Sequence, residues 1–161
     1  MADRPDNMPA DFETALNYIM AVKTPTIDDF KLMAFVETGG EAFYAGLANA
    51  APNEQIKDLL NKNGREERAH AHRLKKVIEK LTGNSFTLPT PAENPYYVEP
   101  QGISVDKDFL NYLVDAEQAG DTLYEDWANS VDDTQCAGWL RQNGKEEIQH
   151  AERAKEAIGY L

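Results

Sequence analysis

Apolar residues recur at spacings of three and four over most of the chain. No stretch alternates convincingly with a period of two, so helices are predicted and strands are not. From Thr26 to Ala50 the pattern is helical, with Thr26 and Asp29 spaced as a capping box. Ala51-Pro52-Asn53 interrupts it, and Asn53 is placed to cap a second helix that runs to about Leu81 and stops at Gly83. Residues 83–103 lose the helical period and carry Pro89, Pro91, Pro95, Pro100 and Gly102, the composition of a linker or long crossover. Ser104 or Asp106 starts a third helix reaching about Asn129, and Asp132 or Asp133 caps a fourth that runs almost to Leu161. Residues 1–25 are mixed, with Pro5, Pro9 and Pro25 and a short helix expected around Asp11–Val22. The expected architecture is an all-α four-helix bundle in a single domain, 1–161. It has an N-terminal extension (1–25), a helical hairpin (26–82), a crossover (83–103) and a second hairpin (104–161).

The two hairpins repeat one another. Residues 35–81 laid on 115–161 without gaps are identical at 17 of 47 positions, where random pairing at average residue usage gives about three. Glu37/Glu117, Gly40/Gly120, Tyr44/Tyr124, Ala48/Ala128 and Asn49/Asn129 match in the first helix of each half. The second helices share Asn63-Gly64/Asn143-Gly144, Glu66-Glu67/Glu146-Glu147, His70-Ala71/His150-Ala151 and Arg73/Arg153.

Helical phase decides which of these face inward. Ile56, Leu60, Asn63, Glu67, His70, Leu74, Val77 and Leu81 advance in alternating steps of four and three, a coiled-coil type seam. Cys136, Leu140, Asn143, Glu147, His150, Ala154, Ala157 and Leu161 do the same in the last helix. The seams of the other two pass through Glu37, Glu41 and Tyr44, and through Glu117, Asp121 and Tyr124. Each is apolar at its ends and polar in its middle, and Glu66 and Glu146 fall beside the seam. Four carboxylates buried together would force protonation or unfolding. Two divalent cations neutralise them, and an oxygen-rich set with one imidazole per metal and no thiolate favours iron or manganese. One Glu from each of two helices plus Glu-x-x-His from each of the others is a di-metal carboxylate arrangement of four-helix bundles. The candidate ligands are therefore Glu37, Glu67, His70, Glu117, Glu147 and His150.

Four further seam residues stay open between roles. Glu41 and Asp121 either accept the second imidazole N–H of a ligand histidine, add a ligand, or sit at a wet stretch of the seam. Tyr44 and Tyr124 read first as core aromatics with satisfied hydroxyls, with hydrogen bonding to ligand carboxylates or gating of electron transfer as the alternative. His72 falls off the seam and reads as a surface residue. Gly40, Gly120, Gly64 and Gly144 each cost about 1 kcal/mol of helix propensity against alanine, so their repetition points to close helix approach or to room for a small oxidant.

Charge and cysteine content narrow the rest. A net charge of −12 and a pI near 4.6 argue against a general surface that grips nucleic acid or an anionic membrane. Cys136 is alone, which excludes an intramolecular disulfide, a Cys-x-x-Cys pair and a four-cysteine metal site within the chain. There is no apolar run of membrane-spanning length and no signal-peptide core after Met1, so a cytoplasmic protein is expected. The crossover can join the two hairpins into one bundle. A helix of about 28 residues is about 42 Å long, and about 21 extended residues reach roughly 65 Å.

At these residues the chain resembles the ferritin-like di-iron carboxylate superfamily, over about residues 27–161, and within it the rubrerythrin branch. The doubled Glu-x-x-His, each copy preceded 30 residues earlier by a seam Glu, is the specific part of the likeness. The resemblance implies a ferritin-like bundle with two iron ions per chain, manganese being the alternative. It implies an oxidoreductase that reduces peroxide or O2 with electrons from an external donor. A ferroxidase that stores iron and a hydroxylase of an organic substrate are the other members' activities. Storage is disfavoured by a last helix that runs to the end of the chain without a short fifth helix, and hydroxylation needs a substrate cavity beside the metals. A homodimer is compatible with the same resemblance. Two departures are visible: the additional Glu that rubrerythrins carry three residues after the third-helix ligand is Gly120, and one cysteine cannot build their rubredoxin-type iron site.

Overall fold

Helix starts are set by local side-chain chemistry. In the computed structural model, which describes residues 1–161, Asp11 caps α1 (Phe12–Met20) by accepting from the Thr14 amide. Thr26 caps α2 (Ile27–Ala50) in a complete capping box with Asp29. Asn53, Asp106 and Asp133 cap α3 (Glu54–Thr82), α4 (Lys107–Ser130) and α5 (Thr134–Ile158) through the first-turn amides that a helix leaves unpaired. Gly83 ends α3 at φ 70°, a left-handed conformation that costs glycine little and other residues more. There are no strands, and no helix is long and apolar enough to cross a membrane.

α2 pairs with α3 and α4 with α5, and the two hairpins meet along α3 and α5. No Cα of α2 lies within 8 Å of one in α4, and α1 packs against both helices of that open side. The core is split. One apolar cluster gathers Phe30, Ala34, Leu74, Val77, Trp127, Cys136 and Leu140 with Ala15 and Ile19 of α1. The other gathers Leu47, Ile56, Leu60, Leu110, Val114 and Ala154. The polar middle of the four seams lies between them, closed off from water at both ends of the bundle. The outermost seam positions, Leu81 and Leu161, are exposed at the ends of α3 and the chain.

The crossover is more than a spacer. It follows α2, whose sequence is apolar on nearly every side and which is buried on nearly every side. Gly39 and Gly46 permit that approach: a Cβ on Gly39 would lie 2.9 Å from Tyr96 Cβ, and one on Gly46 2.5 Å from Pro100 Cδ. Buried Asn94 donates to the Phe35 carbonyl at 2.8 Å and to Thr38 Oγ1 at 2.7 Å. Phe86, Tyr96 and Val105 are buried as well. The N-terminal segment closes over the crossover, with the Tyr96 hydroxyl donating to the Pro9 carbonyl at 2.7 Å and Arg4 to the Glu93 carbonyl at 2.9 Å. The all-α ferritin-like bundle expected from the sequence is the fold observed.

Candidate metal centre

The six candidate ligands converge. Glu37 comes from α2, Glu67 and His70 from α3, Glu117 from α4, and Glu147 and His150 from α5, all of them buried. Both imidazoles turn Nδ1 toward the carboxylates and stack on each other with ring centroids 5.3 Å apart. His70 Nδ1 is 3.5 Å from Glu37 Oε2 and 3.5 Å from Glu147 Oε1. His150 Nδ1 is 3.5 Å from Glu117 Oε2 and 3.4 Å from Glu147 Oε2. Glu147 thus directs one oxygen to each imidazole. Glu67 does the same, with Oε1 3.2 Å from His150 Nδ1 and Oε2 4.0 Å from His70 Nδ1. The donors separate into two groups able to hold a metal, Glu67–Glu117–Glu147–His150 and Glu37–His70–Glu147, with Glu147 common to both.

The fit to metal is tested by the nitrogens. Neither Nδ1 has a hydrogen-bond partner, although both are fully buried. An unpaired buried polar atom costs about 1–3 kcal/mol, and a metal ion is the partner that a ring of carboxylate oxygens around an imidazole lone pair suits. The carboxylates carry the same message. Burial, reinforced by Glu37, drives Glu67 well above the usual carboxylate range, and burial beside Glu147 pushes Glu117 up to about 8. Burial alone would lower the histidines, but the facing carboxylates outweigh it and raise both. Burial opposes the charge on Glu147 too, yet the two imidazoles hold its carboxyl well below the ordinary value. Without a cation the cluster keeps protons, and divalent ions can take their place.

Tyr44 and Tyr124 are buried core aromatics, and their hydroxyls do more than find a partner. Tyr44 of α2 donates to Glu117 Oε1 on α4, and Tyr124 of α4 donates to Glu37 Oε1 on α2. These two bonds span the gap that the backbones of α2 and α4 leave open. Each occupies one oxygen of its carboxylate and leaves the other facing the imidazole of that carboxylate's own hairpin.

The place beside the histidines, one of the roles left open for Glu41 and Asp121, belongs to other residues. His150 Nε2 donates to Glu66 Oε2 at 3.0 Å, and His70 Nε2 lies 3.1 Å from Glu146 Oε2, near enough for an ion pair but not aligned as a hydrogen bond. Glu41 instead lies 3.7 Å from exposed Arg68, and Asp121 packs against α5, where a Cβ on Gly144 would come within 2.7 Å of its Oδ1. Both are half-buried and belong to neither metal-holding group. His72 is exposed, as expected.

Glu66 and Glu146 escaped the seam analysis because they stand one position off it. Each is gripped by an arginine. Arg153 donates to Glu66 at 2.7 and 2.9 Å and to Asn63 Oδ1 at 3.0 Å. Arg73 donates to Glu146 at 2.7 and 2.8 Å and to Asn143 Oδ1 at 2.9 Å. Asn63 and Asn143 complete the network by donating to the backbone carbonyls of His150 and His70, at 3.3 and 3.2 Å. The signal was present: all six residues repeat in register between the hairpins. Burial opposes the charge on Glu66, but His150 and Arg153 outweigh it and bring the carboxyl down to about 2.

The glycines resolve in the same geometry. A Cβ on Gly40 would sit 2.8 Å from Glu67 Oε2, and one on Gly120 would sit 3.3 Å from Glu147 Cδ. Their missing side chains admit the two carboxylates that face both imidazoles, so close approach, rather than open space, accounts for them.

Against known proteins, no curated protein and no solved structure gives a significant match. The Rubrerythrin family model matches residues 33–158, from the middle of α2's first half to the end of α5, and so includes all six converging donors. The chain belongs to the rubrerythrin family.

Proposed function

We propose that this protein is a di-iron oxidoreductase of the cytoplasm that reduces peroxide or O2 with electrons from an external donor. The observation that carries the reading is the division of the donors: Glu67 and Glu147 each offer one oxygen to either side, while Glu37 with His70 and Glu117 with His150 form the two ends. That is a set for two metals, matched in charge and in softness to iron, with manganese as the alternative. An iron pair held there supplies the two-electron redox chemistry.

The chain's own part is positional and electrostatic. Tyr44 and Tyr124 keep one oxygen of Glu117 and of Glu37 engaged and hold the other toward His150 and His70. The apolar clusters above and below keep water from the carboxylates. Two surface cavities, of about 240 Å³ beside Met20 and Asp126 and about 260 Å³ beside Gly46 and Ile103, are lined by none of the six donors.

The test is anaerobic loading with Fe(II), elemental analysis, then rapid mixing with H2O2 and with O2. Two irons per chain and faster reaction with peroxide are expected. No more than trace metal overturns the reading, and sustained turnover of excess Fe(II) with O2 transfers it to iron storage.

A further inference from the structure

Each imidazole is held from the opposite hairpin. Asn63 and Glu66 are three residues apart on α3, and His150 and Arg153 are three apart on α5. The spacing puts both pairs on facing sides of their helices, and four hydrogen-bonding links close them into a ring: His150 to Glu66, Arg153 to Glu66, Arg153 to Asn63, and Asn63 to the His150 carbonyl. The second set exchanges the roles of the helices, with His70 and Arg73 on α3 facing Asn143 and Glu146 on α5 through three hydrogen bonds and, in place of the fourth, the 3.1 Å approach of His70 Nε2 to Glu146 Oε2. Both histidine rings are fully buried and their outer nitrogens meet a carboxylate that is itself gripped on both oxygens.

We propose that Glu66 and Glu146 are positioning residues that act across the hairpins, Glu66 orienting His150 and Glu146 orienting His70 so that Nδ1 is presented to the metal. A carboxylate held against Nε2, by a hydrogen bond at His150 and by ion-pair contact at His70, keeps the proton there and leaves the Nδ1 lone pair free for the ligand bond. Arg153 and Arg73 prevent those carboxylates from swinging away, through two parallel contacts that only a guanidinium supplies. A metal site on one hairpin is then tuned by the sequence of the other. Neither hairpin orients its own histidine.

The inference rests on the two-metal reading, and Zn(II) separates the two because it is diamagnetic and redox-inert. Calorimetric titration of the wild-type chain is expected to show two Zn(II) bound. Fewer than two overturns the two-metal reading and, with it, the assignment of one oriented histidine to each metal. With two bound, Glu66→Gln is expected to weaken one equivalent about 10- to 100-fold, the usual loss for a partner behind a ligand, and to leave the other unchanged. Histidine ¹⁵N shifts of the Zn(II) form are expected to move for His150 and stay for His70, with Glu146→Gln giving the reverse. A purely structural tie between hairpins moves both equivalents and both imidazoles together, and that result overturns the proposal. So does an unchanged affinity at both. Arg153→Lys keeps the charge and leaves Glu66 in place, so it covers any folding failure of the glutamine variant. It is expected to weaken the same equivalent by a smaller factor, and two unaffected equivalents in Arg153→Lys also refute the assignment.

Discussion

Gly40 stands against Glu67 so closely that a Cβ added to it would lie 2.8 Å from the carboxylate oxygen Oε2. That oxygen is the one Glu67 turns toward His70. Gly40→Ala therefore separates folding from metal binding. Alanine gains about 1 kcal/mol of helix propensity, while Glu67 has to leave its place among the donors. Metal-free stability in urea is expected to hold or rise, and metal affinity to fall by about tenfold or more, comparable to losing support behind a ligand. Gly120→Ala meets Glu147 Cδ at 3.3 Å and is expected to cost less affinity.

The two tyrosines predict a stability loss shared between α2 and α4. Tyr44→Phe leaves Glu117 Oε1 without its donor, and Tyr124→Phe does the same to Glu37 Oε1. A buried hydrogen bond to a charged group contributes about 1.5–3 kcal/mol, and each variant is expected to lose that much in denaturant unfolding of the metal-loaded protein. Because these bonds join α2 to α4 across a gap that no backbone contact fills, amide exchange is expected to quicken in both helices, not only in the one substituted.

The pH dependence of the metal-free protein follows from the direction of the shifts. Glu67, Glu117, His70 and His150 are raised above ordinary values of 4.5 for the carboxyls and 6.5 for the imidazoles. Such groups bind protons in the folded state that the unfolded chain has released. Their stabilisation is complete below the unfolded values and is lost as pH rises, for Glu117 through about 8. Glu147, Glu66 and Glu146 are lowered, so their contribution is present above 4.5 and is lost only in acid. Between pH 5 and 8 the first set alone changes. The Tm of the metal-free protein is expected to fall across that interval, and metal, which replaces the protons, to stabilise more at pH 8 than at pH 5. A Tm that rises with pH in the chelated protein refutes the assignment.

Glu41 and Asp121 supply a control. Both lie on the seams, yet neither belongs to a metal-holding group. Glu41→Gln and Asp121→Asn are expected to retain two metals per chain by elemental analysis, whereas Glu147→Gln, which alters the carboxylate common to both groups, is expected to lose metal at both positions.

Asn94 predicts a loss confined to folding. Its amide donates to the Phe35 carbonyl and Thr38 Oγ1, and its Oδ1 accepts from the Tyr96 amide at 2.9 Å. Asn94→Ala is expected to cost about 1–3 kcal/mol in unfolding with metal stoichiometry unchanged, because the crossover is fastened to α2 on the side away from the donors.

Much of this was legible because it is local or periodic. The caps at Thr26, Asn53, Asp106 and Asp133 involve residues three apart or fewer, and the donors lie on seams that helical phase alone turns inward. Glu66 and Glu146 were passed over because phase describes one helix at a time. One position off the seam is solvent on a lone helix, and it becomes the flank of the neighbouring helix once α3 and α5 pack. The crossover was read by length and composition, which measure reach but not adhesion; its fit to Gly39 and Gly46 exists only after the chain has turned back on itself.

By itself, then, the sequence determined five helices, two repeated hairpins and the six inward donors, because helical periodicity and capping are properties of a few neighbouring residues. Tertiary structure alone decided which carboxylate faces which imidazole, that each tyrosine bonds a carboxylate of the opposite hairpin, that each glutamate–arginine pair joins the two hairpins, and that α2 is sheathed by the crossover. The tyrosine and glutamate–arginine bonds join residues 73 to 87 positions apart. No local preference encodes them, and the burial of the apolar seams is what brings them together.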